Sequence, residues 1–225
     1  MSRFDYHDKV VVITGGAGGI GSTFAELAAR RGARVVVVDQ REDAALATAA
    51  GLPHAPGETD RHVSFAVDLT DRRALAGLIE QITETFGRID VLVNNAGMTS
   101  AERFDERSPE SIEHELAVNL LAPLLLTRLA IPLLRASRDP RVVTTVSLGG
   151  IFPLGETPIY TASKFGLRGA MLSIALDLRS KGIIAGSVMP SATDTRMLRQ
   201  EAIDGGNALQ FLDPPQTARQ VATAM

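Results

Sequence analysis

Short runs of β-branched and aliphatic residues alternate along the chain with longer segments in which apolar residues recur every three or four positions. The short runs predict six strands, which are Val10–Thr14, Val35–Asp39, Val63–Asp68, Ile89–Asn94, Arg141–Ser147 and Ile183–Met189. The longer segments predict helices, which are Gly19–Arg31, Asp43–Ala50, Asp71–Phe86, Pro109–Arg135, Ile159–Lys181 and a last one from Thr217 onward. Strands that alternate with helices are typical of βαβ units and of a parallel sheet.

The strand around Val35–Val38 is apolar at every position instead of alternating between apolar and polar residues. This pattern indicates a sheet that helices cover on both faces. The expected fold is therefore α/β, a doubly wound parallel sheet in three layers (αβα). The 225 residues, of which 45% are hydrophobic, suffice for one substantial core, and no shift in composition marks a linker. We expect a single domain over residues 1–225.

The charge balance and the absence of cysteine narrow the classes of function. The net charge is -3, so the chain lacks the basic surplus that binds nucleic acid or anionic lipid. Without cysteine there are no disulfides or thiolate nucleophiles. The charged N-terminal residues are unlike a secretory signal, so a cytoplasmic location is the default expectation. No metal is expected, because the four histidines lack ligand spacing: His7, His54, His62 and His114.

The longest apolar stretch, Leu116–Leu134, is interrupted by Asn119, Arg128 and two prolines. A membrane-spanning helix needs about 20 consecutive residues that are predominantly apolar. We therefore expect this stretch to form a buried helix rather than a membrane span.

Glycines cluster where the first predicted strand meets the first predicted helix, in Thr14-Gly-Gly-Ala-Gly-Gly-Ile-Gly21. Gly15, Gly19 and Gly21 allow backbone amides and a helix N-terminus to approach a pyrophosphate, which a Cβ atom would obstruct. Taken alone, the segment is also compatible with a plain turn between a strand and a helix.

Two acidic residues stand at the ends of the next two predicted strands. Asp39 lies where a carboxylate accepts hydrogen bonds from ribose hydroxyls and repels a 2′-phosphate, so it predicts NAD. Arg41 lies two residues further on and is either a solvated surface residue or a group that serves NADP. Asp68 either lies at the ligand-binding edge of the sheet or caps the helix that begins near Asp71.

Tyr160 and Lys164 are four residues apart in a predicted helix, so their side chains emerge on one face. An ammonium about 4 Å from a phenol contributes roughly 4 kcal/mol at an effective dielectric of 20, which lowers the phenol pKa by about three units. Tyr160 is therefore the candidate acid and base for a reacting alcohol or carbonyl.

Two further polar residues are candidates for the same site. Ser147 ends the fifth predicted strand, where its hydroxyl can hydrogen-bond a substrate oxygen, although many serines at strand ends only form turns. Asn119 interrupts an apolar helix, and a buried amide there needs partners. It either holds a water linked to Lys164 or satisfies local backbone.

With these motifs the chain resembles the classical short-chain dehydrogenase/reductase family from Asp8 to about Ala224. The resemblance implies a Rossmann-type fold and an NAD(H)-dependent oxidoreductase that interconverts a secondary alcohol and a ketone, with Tyr160 as acid and base. It implies a catalytic tetrad of Asn119, Ser147, Tyr160 and Lys164. It also implies the cofactor-binding residues, which are Gly15, Gly19, Ile20, Gly21, Asp39, Asp68, Leu69, Asn95, Ala96, Gly97, Tyr160, Lys164, Pro190, Thr193 and Thr195.

The resemblance also implies roles for these residues. The segment Asn94-Asn-Ala-Gly97 borders the cofactor, Lys164 binds the nicotinamide ribose, and Asn119 holds a relay water. Members that prefer NADP often carry a basic residue where this chain has Gly18.

The chain departs from the family pattern in three places, and one of them, Val146 before Ser147, is expected to matter little. Pro190 is followed by Ser191 instead of the usual glycine, which is expected to narrow the nicotinamide pocket. Related chains usually continue through one more strand and a C-terminal tail, so the final strand of the family is expected to be missing here.

A substrate lid is expected over approximately residues 191–214, where Gly205-Gly206 is mixed with apolar side chains: Met197, Leu198, Ile203, Leu209 and Phe211. An apolar lid indicates a hydrophobic small-molecule substrate. The residues expected to add to the pocket are Met98, Thr99, Phe152 and Leu154. The alternative is that these side chains pack only against each other.

Two other functions stay open at this stage, which are a non-catalytic NAD-binding sensor or scaffold and an NAD-dependent epimerase or dehydratase. The helices Pro109–Arg135 and Ile159–Lys181 carry more apolar surface than one sheet face requires. Related enzymes pair such helices across a two-fold axis, so a homodimer or homotetramer is expected.

Overall fold

The computed structural model describes residues 4–54, 62–100, 102–203 and 216–225, and a six-stranded parallel sheet lies at its centre. The strands of this sheet are β1 (Val10–Thr14), β2 (Arg34–Asp39), β3 (Val63–Ala66), β4 (Val91–Asn94), β5 (Arg141–Thr145) and β6 (Ile184–Val188). Their order in the sheet is β3-β2-β1-β4-β5-β6. β1 is central, and its Val11 pairs with Val35 on one side and with Val91 on the other.

Helices cover both faces of the sheet. They are α1 (Gly19–Ala29), α2 (Glu42–Ala50), α3 (Arg72–Phe86), α4 (Pro109–Leu116), α5 (Ala122–Arg135), α6 (Pro158–Arg179), α7 (Arg196–Ile203) and α8 (Ala218–Ala224). Successive side chains of β1 enter different cores, because side chains alternate along a strand. Val10 and Val12 pack in the core beneath α3, α5 and α6, whereas Val11 and Ile13 pack in the core beneath α1 and α2. The predicted doubly wound three-layer fold is confirmed.

The order of the strands reverses between β1 and β4, since the chain runs outward from β1 to β3 and then crosses to β4. Open α/β sheets bind ligands in the crevice at the carboxyl ends of such strands. The residues that follow β1 and β4 are the glycine segment and Asn95–Gly97, and both therefore lie at this edge.

Several boundaries differ from the sequence-based expectation. β3 and β5 end two residues earlier than predicted, so Asp68 and Ser147 follow their strands instead of ending them. The helix predicted over Pro109–Arg135 is interrupted by a π-helical segment at Ala117–Leu121. A short 3-10 helix occupies Leu148–Gly150, and a second, two-stranded parallel sheet is formed by β7 (Thr193–Asp194) and β8 (Gln216–Thr217). None of these short elements has a periodicity of its own in the sequence.

The helical stretch Pro109–Arg135 is long and apolar enough to cross a membrane, by length and composition alone. Of its most apolar window, 39% is buried inside the protein. The inward-facing residues Leu126, Ala130 and Leu134 belong to the core beneath the sheet. The expectation of a buried helix is thus met on one face only. That face packs against the sheet in the three-layer fold.

Candidate active site

The glycine segment after β1 is packed so closely that side chains do not fit. Gly15 has a φ of +61°, and a Cβ there would lie 2.9 Å from Ala96 Cα. A Cβ on Gly21 would overlap the carbonyl oxygen of Gly15, and one on Gly19 would lie 2.8 Å from Thr195 Cγ2. α1 begins at Gly19 with no side-chain cap at Gly18. Ile20 follows in its first turn. The segment is therefore a backbone cradle with a helix N-terminus, which fits a phosphate group.

Thr14 joins this segment to the loop after β4. Its Oγ1 accepts hydrogen bonds from the backbone amides of Asn95 at 3.0 Å and Ala96 at 3.1 Å. The Asn95 side chain donates to the carbonyl oxygens of Thr14 and Gly15, and its Oδ1 accepts from Thr145 Oγ1 at 3.2 Å. These bonds fix the ends of β1, β4 and β5 to one another. Thr14 was not among the predicted site residues, although its place directly before Gly15 was a usable signal.

Asp39 lies at the end of β2 with its carboxylate turned toward the glycine segment. Its Oδ2 accepts from the Ala17 amide at 3.2 Å, and its Oδ1 accepts from the Arg41 Nε at 3.2 Å. The Arg41 Nη2 in turn donates to the Ala17 carbonyl oxygen at 3.3 Å. Arg41 is therefore not a simple solvated residue, because its partly exposed guanidinium bridges Asp39 and the loop.

Asn119 lies within the π-helical segment and is fully buried. Its Oδ1 accepts from the Met98 amide at 2.8 Å, while its Nδ2 donates to the Met98 carbonyl oxygen at 2.8 Å and to Ser163 Oγ at 3.2 Å. A Cβ on Gly97 would lie 3.3 Å from Asn119 Oδ1 and 3.5 Å from Lys164 Nζ. Gly97 thus marks the point where Asn119 and Lys164 converge. The Asn119 side chain thus satisfies backbone groups of Met98, as one of the two sequence-based alternatives expected. The other alternative, a water held for Lys164, stays a prediction.

Ser147 and Tyr160 meet at Gly149, and Lys164 lies beside Tyr160. Ser147 Oγ accepts from the Gly149 amide at 3.0 Å. A Cβ on Gly149 would lie 3.2 Å from Tyr160 Cε1 and 3.4 Å from Ser147 Oγ. Lys164 Nζ lies 5.5 Å from the centroid of the Tyr160 ring and donates to the Thr145 carbonyl oxygen at 3.1 Å. All four residues of the predicted tetrad are therefore at one edge of the sheet.

Lys164 is almost fully buried, and this environment changes its proton affinity. Removal from water disfavours the charged form and lowers the pKa of Lys164 to about 8. The Glu115 carboxylate opposes this shift by favouring the ammonium. At neutral pH Lys164 is therefore mainly an ammonium, and it releases its proton as the pH rises through about 8.

Asp68 is exposed and lies beyond the end of β3. Its Oδ1 accepts from the backbone amide and the hydroxyl of Thr70, and these bonds lower the pKa of Asp68. Asp71, not Asp68, caps α3, because its side chain accepts from the amides of Arg73 and Ala74. The cap alternative for Asp68 is wrong. Leu69 borders a small cavity together with Thr14, Ala96 and residues at the start of α5.

The segment after β6 closes the other side of the site. The Pro190 carbonyl oxygen accepts from the Leu148 amide at 2.8 Å, which holds this segment near Ser147. Thr193 is buried in β7 and its hydroxyl donates to the Ser191 carbonyl oxygen. Thr195 lies against Gly19, so the predicted cofactor residues at both ends of the site are in contact.

The predicted lid is described only in part. Met197 is substantially exposed, whereas Leu198 is buried and packs within the protein. Residues 204–214, with Leu209, Phe211 and the two glycines, lie outside the described residues, and so does the side chain of Ile203. On the facing side Phe152 is exposed, and Leu154 Cδ1 would contact a Cβ on Gly149 at 3.2 Å. Within the described ranges no group of three acidic or histidine side chains is placed to hold a metal ion.

Comparison with known proteins identifies the class that this fold and site define. A family model described as short chain dehydrogenase matches residues 9–204. The chain belongs to the short-chain dehydrogenase/reductase family of oxidoreductases, as its motifs predicted.

Curated relatives of known activity act on different alcohols. The chain is 32% identical to a D-threitol dehydrogenase of Mycolicibacterium smegmatis, over 94% of this chain and 81% of the relative. It is 30% identical to a 3beta-hydroxysteroid dehydrogenase of Mediterraneibacter gnavus, over 91% of this chain and 72% of the relative.

Solved structures share the fold. The crystal structure of levodione reductase aligns with a TM-score of 0.88 at 27% identity and covers 99% of this chain and 90% of its own. A 3-ketoacyl-(acyl-carrier-protein) reductase from Brucella melitensis complexed with NADH aligns with a TM-score of 0.84 at 24% identity, over 97% of this chain and 89% of its own.

Proposed function

We propose that this protein is an NAD(H)-dependent oxidoreductase that interconverts a secondary alcohol and a ketone on a hydrophobic small molecule. The observation that carries the proposal is that Ser147 and Tyr160 meet at Gly149, with Lys164 Nζ 5.5 Å from the centroid of the Tyr160 ring, at the sheet edge that also holds the glycine cradle. A catalytic acid and an adjacent cation beside a dinucleotide cradle suit hydride-transfer chemistry.

The chain's own groups have separate roles in this proposal. The Tyr160 phenol holds the proton that a substrate oxygen gains or loses, because it is partly accessible beside Ser147. The Ser147 hydroxyl orients that oxygen by a hydrogen bond. The Lys164 ammonium, 5.5 Å from the centroid of the Tyr160 ring, is the positive charge beside the phenol. A bound nicotinamide would supply or accept the hydride.

NAD is the proposed cofactor because the Asp39 carboxylate lies at the ribose end of the cradle, hydrogen-bonded to the Ala17 amide. NADP is the second candidate, and the observation that favours it is the Arg41 guanidinium beside Asp39. Titration of nicotinamide fluorescence with NADH and NADPH separates the two. We expect the parent protein to bind NADH more tightly than NADPH. The Asp39→Asn variant should lose this preference. Tighter NADPH binding by the parent protein would refute the assignment.

A hydrophobic substrate is proposed because Leu154 lies beside Tyr160 at Gly149, and because Phe152 and Met197 are exposed apolar side chains close in sequence to Leu154 and Thr195. The names of the curated relatives span substrates as different as D-threitol and a 3beta-hydroxysteroid. A panel of secondary alcohols and ketones graded in apolar size therefore forms the substrate screen.

An assembly of two or four copies is proposed from the apolar face of α6 and the π-helical segment before α5. Phe165, Leu172 and Leu176 of α6 are exposed, and so is Leu121 at the end of the π-helical segment. Exposed apolar side chains on adjacent helices are typical of protein interfaces.

Two other functions are separated from the proposal by one variant, Tyr160→Phe. An oxidoreductase loses turnover of the alcohol and ketone panel in this variant but retains NADH binding. A non-catalytic sensor shows no turnover in either protein. An epimerase or dehydratase converts substrate without net change in NADH, which absorbance at the nicotinamide band detects.

A further inference from the structure

A buried ion pair lies behind the candidate active site. Arg107 Nη1 donates to Glu115 Oε2 at 2.6 Å, and the two side chains are 1% and 0% exposed. The Arg107 Nη2 also donates to the carbonyl oxygen and the hydroxyl of Ser111. Removing two charges from water is costly, and an apolar pair of similar volume often packs as well. A pair retained at this depth therefore calls for a role other than filling the core.

The position of Glu115 suggests that role. It lies in the last turn of α4, directly before the π-helical segment that carries Asn119. α4 packs against α6, which carries Lys164. Arg107 satisfies only one oxygen of the carboxylate, because Oε1 has no hydrogen-bond partner within the described part of the chain. Burial raises the pKa of Glu115, and the Arg107 guanidinium opposes this and favours the ionised form.

The groups that surround the Lys164 ammonium are mostly uncharged. β5 presents the Thr145 carbonyl oxygen, the loop after β4 presents Gly97, and α6 itself presents the Tyr160 ring. Glu115 lies four residues before Asn119 and both side chains are fully buried, while Asn119 Nδ2 donates at 3.2 Å to the hydroxyl of Ser163, which directly precedes Lys164. The Glu115 carboxylate is therefore on the inner face of the helical stretch that borders Lys164, where its negative charge favours the ammonium. A carbonyl oxygen and an aromatic ring stabilise an ammonium less than an opposite full charge does.

We propose that Glu115 is a positioning residue for the Tyr160–Lys164 pair: its buried carboxylate, held by Arg107, is the counter-charge that keeps the Lys164 ammonium protonated beside Tyr160. The catalytic consequence rests on the proposed function, whereas the electrostatic coupling does not. No covalent step is involved. Glu115 acts on the reaction only through Lys164.

The coupling is measurable without turnover, because the sequence contains three lysines, Lys9, Lys164 and Lys181. In protein labelled with 13C-lysine, the three Cε signals are assigned by single Lys→Met variants and titrated with alkali. We expect the Lys164 midpoint to fall by about half a pH unit or more in Glu115→Gln, which keeps the shape and an acceptor for Arg107. The Lys9 and Lys181 midpoints should stay in place.

Two matched variants separate electrostatic from structural effects. Glu102→Gln removes an exposed carboxylate of the same network, whose Oε2 accepts from Ser111 Oγ at 2.9 Å and lies 3.7 Å from Arg107 Nε. It should leave the Lys164 midpoint unchanged. Glu115→Asp keeps the negative charge, so its Lys164 midpoint should stay close to that of the parent protein. If Glu115→Gln does not fold, Arg107→Gln/Glu115→Gln replaces it. This double variant removes the Arg107 positive charge together with the carboxylate, so the Lys164 midpoint should fall in the same direction but by less than in Glu115→Gln.

An unchanged Lys164 midpoint in folded Glu115→Gln would overturn the proposal, whatever its turnover. In an active protein, the alkaline limb of kcat should move to lower pH by the same amount as the midpoint. A limb that stays in place while the midpoint falls would refute the link between Glu115 and catalysis. Absence of turnover in the parent protein at every pH would refute the proposed function and leave the measured coupling intact.

Discussion

Asn119 and Met98 exchange two hydrogen bonds across the candidate site, each 2.8 Å long, because the Asn119 amide matches both backbone groups of Met98. The π-helical segment turns the Asn119 side chain out of an otherwise apolar helix and toward the loop after β4. The loop position is thereby tied to the helix that borders Lys164. π-Helical insertions are frequent at functional sites.

We expect Asn119→Ala to lower the free energy of unfolding by about 2–4 kcal/mol, because two partly buried backbone groups of Met98 and the buried Ser163 hydroxyl lose a partner. Urea denaturation at neutral pH measures the change. Asn119→Asp keeps the oxygen that accepts from the Met98 amide, so it should preserve that hydrogen bond, which Asn119→Ala removes. A change below about 1 kcal/mol in the alanine variant would show that the pair does not hold the loop.

The glycine cradle is tested by Gly19→Ala. Its new Cβ would lie 2.8 Å from Thr195 Cγ2 at the start of α1. We expect NADH affinity to fall about tenfold or more, because the methyl group occupies the approach to the helix N-terminus. Fluorescence titration measures the affinity.

Gly77→Ala is the matched control for the cradle. Gly77 lies within α3, and no atom is within 4 Å of a Cβ built on it. The change should leave NADH binding intact and stabilise the protein by about 0.5–1 kcal/mol, because alanine favours the helix. Equal loss of NADH affinity in both variants would contradict the role of the cradle.

Because the pKa of Lys164 is lowered in the folded protein, the free energy of unfolding should depend on pH. Below about pH 8 the native and unfolded states both carry the proton, so the cost of burying the charge is fully present. Between about pH 8 and the unfolded value of 10.5, the native state has released a proton that the unfolded state retains. The contribution of Lys164 to stability therefore rises with pH in this window.

Lys164→Met should accordingly gain stability over the parent protein at pH 7, by up to about 3 kcal/mol, and the difference should shrink toward pH 10. Urea denaturation of both proteins at the two pH values measures it. Lys181→Met is the control, because Lys181 is exposed and paired with Asp177 at the end of α6. A difference that is independent of pH would contradict the lowered pKa.

The proposed assembly is tested by Leu176→Glu. Leu176 is 75% exposed on α6, and a carboxylate there would be buried by a partner helix. We expect light scattering to show a smaller species with unchanged secondary structure. Leu46→Glu is the matched control, since Leu46 is 60% exposed on α2. Assemblies of equal mass in the parent protein and Leu176→Glu would place the interface elsewhere.

The order of elements and the main site residues could be predicted because each rests on local patterns. Valine-rich runs marked the buried strands, and the spacing of Tyr160 and Lys164 placed both on one helix face. The π-helical segment around Asn119 could not be predicted, because one shifted hydrogen bond leaves the apolar pattern almost unchanged.

The Arg107–Glu115 pair was missed for a different reason. Glu115 lies on an amphipathic helix and Arg107 lies just before its N-cap, where charged residues usually face solvent. Burial of both side chains depends on how α4 and the residues before it pack in the folded protein. The contact of Thr195 with Gly19 is likewise a long-range relation, since the two residues meet only after the sheet has formed.

The central claim is that this chain transfers hydride between a nicotinamide and a carbinol carbon, with Tyr160 supplying the proton. It is tested most directly in a single turnover with NADH that carries deuterium at the transferable position and the ketone panel. Mass spectrometry should find deuterium on the carbinol carbon of the product with the parent protein. Tyr160→Phe should still bind NADH but transfer no deuterium. Equal transfer by both proteins, or none by the parent protein at saturating NADH across the panel, would contradict the account.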